Sequence, residues 1–192
     1  MPKALALVVL MAIGGLLTES ASAQSQWLDQ PLTQWNKPGG SIPTPEASEP
    51  EPVTDPRCAA TGRPAETPLD AHVEQAGWSL FSTYEGGWGV VLLSGLHGHD
   101  GMCRPWSYHG FVFVDGQFAG TLAPEPSAAR TDGALVESHI TGDGRVNARF
   151  VRYASDDPLC CPSRPSVLLE YRVERTPAGA VLIVERRTEV PR

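Results

Sequence analysis

The chain has 192 residues, which is enough for one domain but not for two of ordinary size. Its 19 glycines and 18 prolines favour turns and loops over long helices. The formal net charge is −7 and basic residues form no long run, which argues against nucleic acid as a partner and against a polybasic membrane-binding patch.

The N-terminus has the pattern of an export signal, and we predict a signal peptide over residues 1–23. Lys3 precedes an apolar stretch over residues 4–17, and Ala21-Ser22-Ala23 has the small-x-small pattern of a cleavage site. The stretch is shorter than the roughly 20 residues of a membrane-spanning helix, and no later segment is long enough to span. No cysteine lies near the cut, so we expect a periplasmic or secreted protein without a lipid anchor.

Residues 24–57 are predicted to be a Pro-rich, acidic and flexible leader before a domain over residues 58–192. Such a composition buries too little apolar surface to offset the entropy of the chain. Trp27 and Trp35 are unusual in a spacer. They either anchor a partner or fold back onto the domain, and the sequence leaves both alternatives open.

A short helix is predicted at the start of the domain. Thr67 has the character of an N-cap, Pro68 suits the first helical position, and Asp70 lies in the first turn. The pattern continues to Ala76, and Gly77 can take the left-handed position that ends the helix.

Four successive hairpins are predicted after this helix. The predicted strand pairs are residues 78–84 with 88–93, 110–114 with 118–122, 134–141 with 145–154, and 167–175 with 180–188. Glu85-Gly86-Gly87 is the predicted first turn, and Asp115-Gly116 is the strongest turn signal of the chain. Apolar and polar residues alternate over 167–174, as in an antiparallel strand with one buried face. We predict an α+β, β-rich fold: an antiparallel sheet or open barrel of successive hairpins with one short N-terminal helix.

Four cysteines in an exported protein predict two disulfides. A Cys160–Cys161 bond would stabilise the fold by only about 1 kcal/mol, whereas loops that reach back to Cys58 or Cys103 would contribute about 4 kcal/mol each. Pro162 favours extended backbone, in which adjacent side chains point to opposite faces. We therefore predict that Cys58 pairs with one of the vicinal cysteines and Cys103 with the other. The alternative is a redox-active vicinal bond.

The stretch from Cys103 to Tyr171 resembles the LppP/LprE family of bacterial envelope lipoproteins. The matching blocks are Cys103, residues 113–121 (FVDGQFAGT), residues 151–153 (VRY) and residues 157–163 (DPLCCPS). The resemblance implies a location in the cell envelope and a disulfide-bonded β domain, and it implies no catalytic residues. This chain departs from the lipoproteins because it lacks the lipidated cysteine.

A histidine-containing loop is the candidate metal site. His97, His99, Asp100 and His109 could together bind zinc or copper, since imidazole and carboxylate suit these metals. Cys103 could not add a thiolate if it forms a disulfide. The alternative is a polar surface turn with incidental histidines, because histidine is scattered elsewhere in the chain.

Enzyme motifs do not stand out, and we expect no catalytic activity. The sequence has no G-x-S-x-G nucleophile elbow and no glycine-rich phosphate loop. A weak hydrolase or redox protein remains the enzymatic alternative. Arg104, Trp106 and Tyr108 are candidates for a binding surface, together with Trp27 and Trp35.

The leading prediction is a monomeric, non-catalytic binding or structural module of the envelope that needs no cofactor. Its partner would be an envelope protein or a glycan, contacted through the loop His97–Tyr108, the leader, or both. A periplasmic zinc- or copper-binding protein is the second hypothesis.

Overall fold

The computed structural model describes residues 26–46 and 56–191, so the predicted signal peptide lies outside the described residues. The elements are α1 (Gln26–Asp29), a 3-10 helix (Pro56–Thr61), α2 (Pro68–Gln75), β1 (Ser79–Gly87), β2 (Val90–His99), β3 (Pro105–Val114), β4 (Gln117–Thr121), β5 (Leu135–Ile140), β6 (Val146–Arg152), β7 (Arg164–Thr176) and β8 (Gly179–Val190). None of the helices in these ranges is long and apolar enough to cross a membrane.

The strands form two four-stranded sheets in the simplest possible order. The first sheet is β1-β2-β3-β4 and the second is β5-β6-β7-β8. All neighbouring strands are antiparallel and consecutive in the chain, so each sheet is a meander of hairpins. The predicted α+β, β-rich fold class is confirmed.

The larger hydrophobic core lies between the two sheets. Both sheets contribute apolar side chains to it, among them Leu92 and Val112 from the first and Phe150 and Leu169 from the second. Every second residue of β6 is buried, which is the expected pattern for a strand with one face on a core.

A second core covers the opposite face of the first sheet, where α2 packs. It is formed by six buried side chains: Val73, Trp78, Leu80, Leu93, Phe111 and Phe113. Strand β3 is therefore buried on both faces, which explains its continuous apolar run. A Cβ at Gly95 would lie 2.8 Å from both the Phe111 ring and the Trp78 side chain, so a glycine is needed at this contact.

Helix α2 begins and ends as predicted. The Thr67 hydroxyl accepts a hydrogen bond from the Asp70 backbone, and the Asp70 carboxylate accepts one from the Thr67 backbone. Pro68 takes the first helical position, and Gly77 follows the helix with φ of +98°.

The first hairpin turns later than predicted. Strand β1 continues through Glu85-Gly86-Gly87, and the turn lies at Trp88 and Gly89, where φ is 60° and 73°. Two-residue hairpin turns often have positive φ at both central positions, and Gly89 adopts this conformation at little cost. The predicted turn at Asp115-Gly116 is confirmed.

Residues 26–46 form an ordered segment, which we call the N-terminal strap. Leu28 is fully buried in the core between the sheets, and Trp27, Leu32 and Trp35 pack against that core. The prediction of a flexible leader is therefore wrong for the strap. Its apolar side chains bury enough surface to order it, despite the prolines among them.

The strap lies along the seam between β4 and β8, the edge strands of the two sheets. Asn36 accepts a hydrogen bond from the Thr121 backbone N–H at 2.9 Å and donates to the Leu182 carbonyl at 3.2 Å. Gln34 donates to the same Leu182 carbonyl at 2.7 Å and accepts from the Val184 N–H at 3.2 Å. These bonds satisfy backbone groups that edge strands otherwise leave unpaired.

The disulfide pairing differs from the prediction, which is wrong. Cys58 pairs with Cys103 across 45 residues, and Cys160 pairs with Cys161. Cys103 lies in the β2–β3 turn of the first sheet, beside the 3-10 helix that carries Cys58, whereas the vicinal pair lies in the β6–β7 connection of the second sheet. Loop entropy ranks possible pairings, but the sheet that each cysteine belongs to decides which of them can meet.

Candidate functional site

An open groove of about 650 Å³ lies beside the Cys58–Cys103 disulfide. The buried side chains of Trp78, Leu80 and Leu96 form its floor. Polar side chains form its rim: Arg63, Glu74 and His99. An apolar floor with a few polar groups around it is the usual composition of a ligand site.

One wall of the groove is fixed to the first sheet by covalent and hydrogen bonds. Cys58 is buried and bonded to Cys103, with 5.0 Å between their Cα atoms. Thr61 Oγ1 and His99 Nε2 share a hydrogen bond of 2.6 Å. The Arg63 backbone N–H donates to the Leu80 carbonyl of β1 at 3.0 Å. The wall is therefore held in place before any ligand arrives.

Arg63 is the charged residue that is most firmly positioned at this rim. Its Nη2 lies 2.5 Å from Asp70 Oδ1, a carboxylate without exposed surface. Burial alone would raise the pKa of Asp70, but the hydrogen bond from Arg63, with those from Glu66 and Thr67, lowers it to about 2. Within the described residues, Arg63 Nε is buried and has no hydrogen-bond partner.

The four predicted metal ligands do not converge. His99 is bonded to Thr61, and Asp100 accepts hydrogen bonds from the backbone and guanidinium of Arg104. His109 is 3% exposed and packs on the rings of Trp78 and Phe111.

The remaining member of that set, His97, lies in β2 and is half-buried. Among residues 26–46 and 56–191, no group of three or more His, Cys, Asp or Glu side chains is placed to hold a metal ion. The structure therefore gives no support to a zinc or copper site in this loop.

The predicted aromatic surface is mostly occupied by contacts within the protein. Trp27 and Trp35 belong to the strap, with their rings 5.6 Å apart. Tyr108 is buried and its hydroxyl donates to the Leu135 carbonyl at 2.7 Å, so it is a core residue. Trp106 is half-buried in β3, and Arg104 is paired with Asp100.

Among the described tryptophans, Trp88 is the most exposed, although the sequence predicts it in a strand. It is 67% exposed at the β1–β2 turn. It borders a smaller depression of about 300 Å³ that includes Arg145, Arg172 and Arg175. Each of these arginines is paired with a carboxylate. The adjacent Gly89 was the available signal for a turn here.

A protein-family model matches the central part of the chain. The LppP/LprE lipoprotein family matches residues 90–176, from the start of β2 to the end of β7. No curated protein and no solved structure matches the chain. Cys103 and the vicinal cysteines lie inside the matched range, whereas the strap and most of the groove wall lie outside it. The family name points to the cell envelope and to no particular activity. Residues 90–176 of this chain are therefore similar to the LppP/LprE lipoprotein family.

Proposed function

We propose that this protein is a non-catalytic binding module of the bacterial envelope. The groove beside the Cys58–Cys103 disulfide is its binding site. The observation that supports this proposal most strongly is the groove itself. It has an apolar floor and a polar rim, and the disulfide fixes one of its walls. A site that is formed in advance loses little conformational entropy on binding.

The ligand would present an apolar face to the floor and polar groups to the rim. The Arg63 guanidinium offers positively charged hydrogen-bond donors, and the Glu74 carboxylate offers a negatively charged acceptor. His99 adds an imidazole. These groups suit a polar component of the envelope, either a protein segment or a glycan.

Site-specific photocrosslinking in the native envelope tests this proposal. A photoreactive residue is placed at Glu74 or Ala59, both exposed at the groove. The matched control position is Glu137, which is exposed on the second sheet. We expect a discrete crosslinked product from the two groove positions and none from Glu137.

A second variant links the product to the groove itself. Glu74→Arg places a longer side chain of opposite charge at the rim and should weaken crosslinking from position 59. Glu125→Arg makes the same change at an exposed site away from the groove and should have no effect. Equal products from groove and control positions, or no product at all, would refute the proposal.

A further inference from the structure

The β6–β7 connection carries the vicinal disulfide at the surface of the molecule. Cys160 and Cys161 are both exposed, and the neighbouring Leu159 is 60% exposed. In the other disulfide, Cys58 is 2% exposed. An attacking thiolate must reach a disulfide sulfur along an open path. Both cysteines of the vicinal bond are open to such attack, whereas in the other bond Cys58 is buried and Cys103 is half-buried.

Hydrogen bonds hold this loop in addition to the bond between the sulfurs. The Asp157 carboxylate accepts backbone hydrogen bonds from Ala154 at 2.7 Å and from Ser163 at 2.6 Å. Cys161 N–H donates to the Pro158 carbonyl at 2.8 Å. Opening the S–S bond would leave these hydrogen bonds available to hold the loop.

A vicinal disulfide is also a poor structural staple. The stabilisation from a crosslink grows with the length of the loop that it closes, and this bond closes the shortest possible one. The Cys58–Cys103 bond, with a separation of 45 residues, has the structural role instead.

We propose that Cys160–Cys161 is a thiol–disulfide exchange site that accepts electrons from a dithiol reductant. This site is separate from the binding groove and does not depend on it. The two disulfides of one chain would then have different roles, one structural and one reactive.

The exchange proceeds in two steps. A thiolate of the reductant attacks the sulfur of one vicinal cysteine, forming a mixed disulfide while the Cys160–Cys161 bond breaks. The released cysteine thiolate takes a proton from water. The second thiolate of the reductant then attacks the reductant's other sulfur, which is part of the mixed disulfide. This attack releases the second vicinal cysteine as a thiolate, which also takes a proton from water. Two electrons and two protons pass to the pair, and the reductant becomes a disulfide.

Graded reduction followed by mass mapping tests the proposal. The oxidised protein is equilibrated with increasing dithiothreitol, quenched with iodoacetamide and digested. We expect the peptide with Cys160 and Cys161 to carry two alkyl groups at about tenfold less reductant than Cys58 and Cys103 require. Oxidised glutathione should then restore the vicinal bond.

The matched controls are two double variants of the full mature chain. The double variant Cys160→Ser with Cys161→Ser should lose the reduction at low dithiothreitol and keep the reduction at high dithiothreitol. The double variant Cys58→Ser with Cys103→Ser should keep the first and lose the second. Far-ultraviolet circular dichroism of the reduced parent checks that the fold persists through the early step. Simultaneous reduction of both bonds, reduction of Cys58–Cys103 first, or an unreduced peptide that joins Cys160 or Cys161 to either distant cysteine would overturn the proposal.

Discussion

The imidazole of His109 lies against the rings of Trp78 and Phe111, with centroid separations of 5.5 and 5.7 Å. Burial disfavours the charged form of the ring and lowers the pKa of His109 from 6.5 to about 4. The unfolded chain therefore binds more protons than the folded one between these two pH values, and acid shifts the equilibrium toward unfolding.

We predict that the free energy of unfolding falls as the pH is lowered from 7 to 4, by up to about 3 kcal/mol from this residue. His109→Phe keeps an aromatic ring in the core, removes the titration, and should flatten the pH profile in this window. Urea unfolding at several pH values measures the effect. The control is His139→Phe at an exposed position, which should retain the parent slope. A parent-like slope in His109→Phe would contradict the prediction.

At the scale of elements, local signals predicted much of the fold. The Thr67 N-cap, Asp115-Gly116 and the alternation in β7 each act within a few residues, and the sequence predicts each of them. The contacts at the seam could not be predicted from the sequence, because Asn36 binds Thr121 and Leu182, which follow it by 85 and 146 residues.

The contact at the seam also depends on a glycine. A Cβ on Gly120, where φ is +148°, would lie 2.2 Å from Asn36 Cγ. The two residues therefore fit each other only because position 120 has no side chain. Neither residue by itself predicts this contact, so the composition of the strap predicts a flexible leader instead.

Asn36→Ala should destabilise the protein by about 2 kcal/mol, because it leaves the buried Thr121 N–H without its acceptor, whereas the Leu182 carbonyl keeps the hydrogen bond from Gln34. Chemical denaturation at pH 7 measures the loss. Lys37→Ala alters the neighbouring exposed side chain and should change stability by less than about 0.5 kcal/mol. Similar small losses in both variants would show that the strap contributes little.

At the scale of the whole molecule, the two disulfides should differ in their effect on stability. Cys58→Ser with Cys103→Ser removes a crosslink over 45 residues, for a cost of about 4 kcal/mol. Cys160→Ser with Cys161→Ser should cost about 1 kcal/mol. Thermal unfolding without reductant compares them. Equal falls in Tm would contradict this division of roles.

The candidate site was predictable only in part. The loop around His99 was identified, but Arg63 and Glu74 precede it by more than 20 residues and carry no motif. Helix α2 and the Cys58–Cys103 bond bring them to it, and both the pairing and the packing depend on the whole fold. Trp88 was assigned to a strand because the Gly86-Gly87 pair competes with Trp88-Gly89 as a turn signal.

The strap has a consequence for the order of events during synthesis. Gln34 and Asn36 precede every strand, yet they bind Leu182 and Val184 of β8, the last strand made. A chain that grows from its N-terminus cannot close the seam until nearly all of it has been synthesised. The earliest described segment is thus among the last to reach its final place, and until then the facing edges of β4 and β8 lack these partners. Folding of this protein is complete only when the strap meets β8.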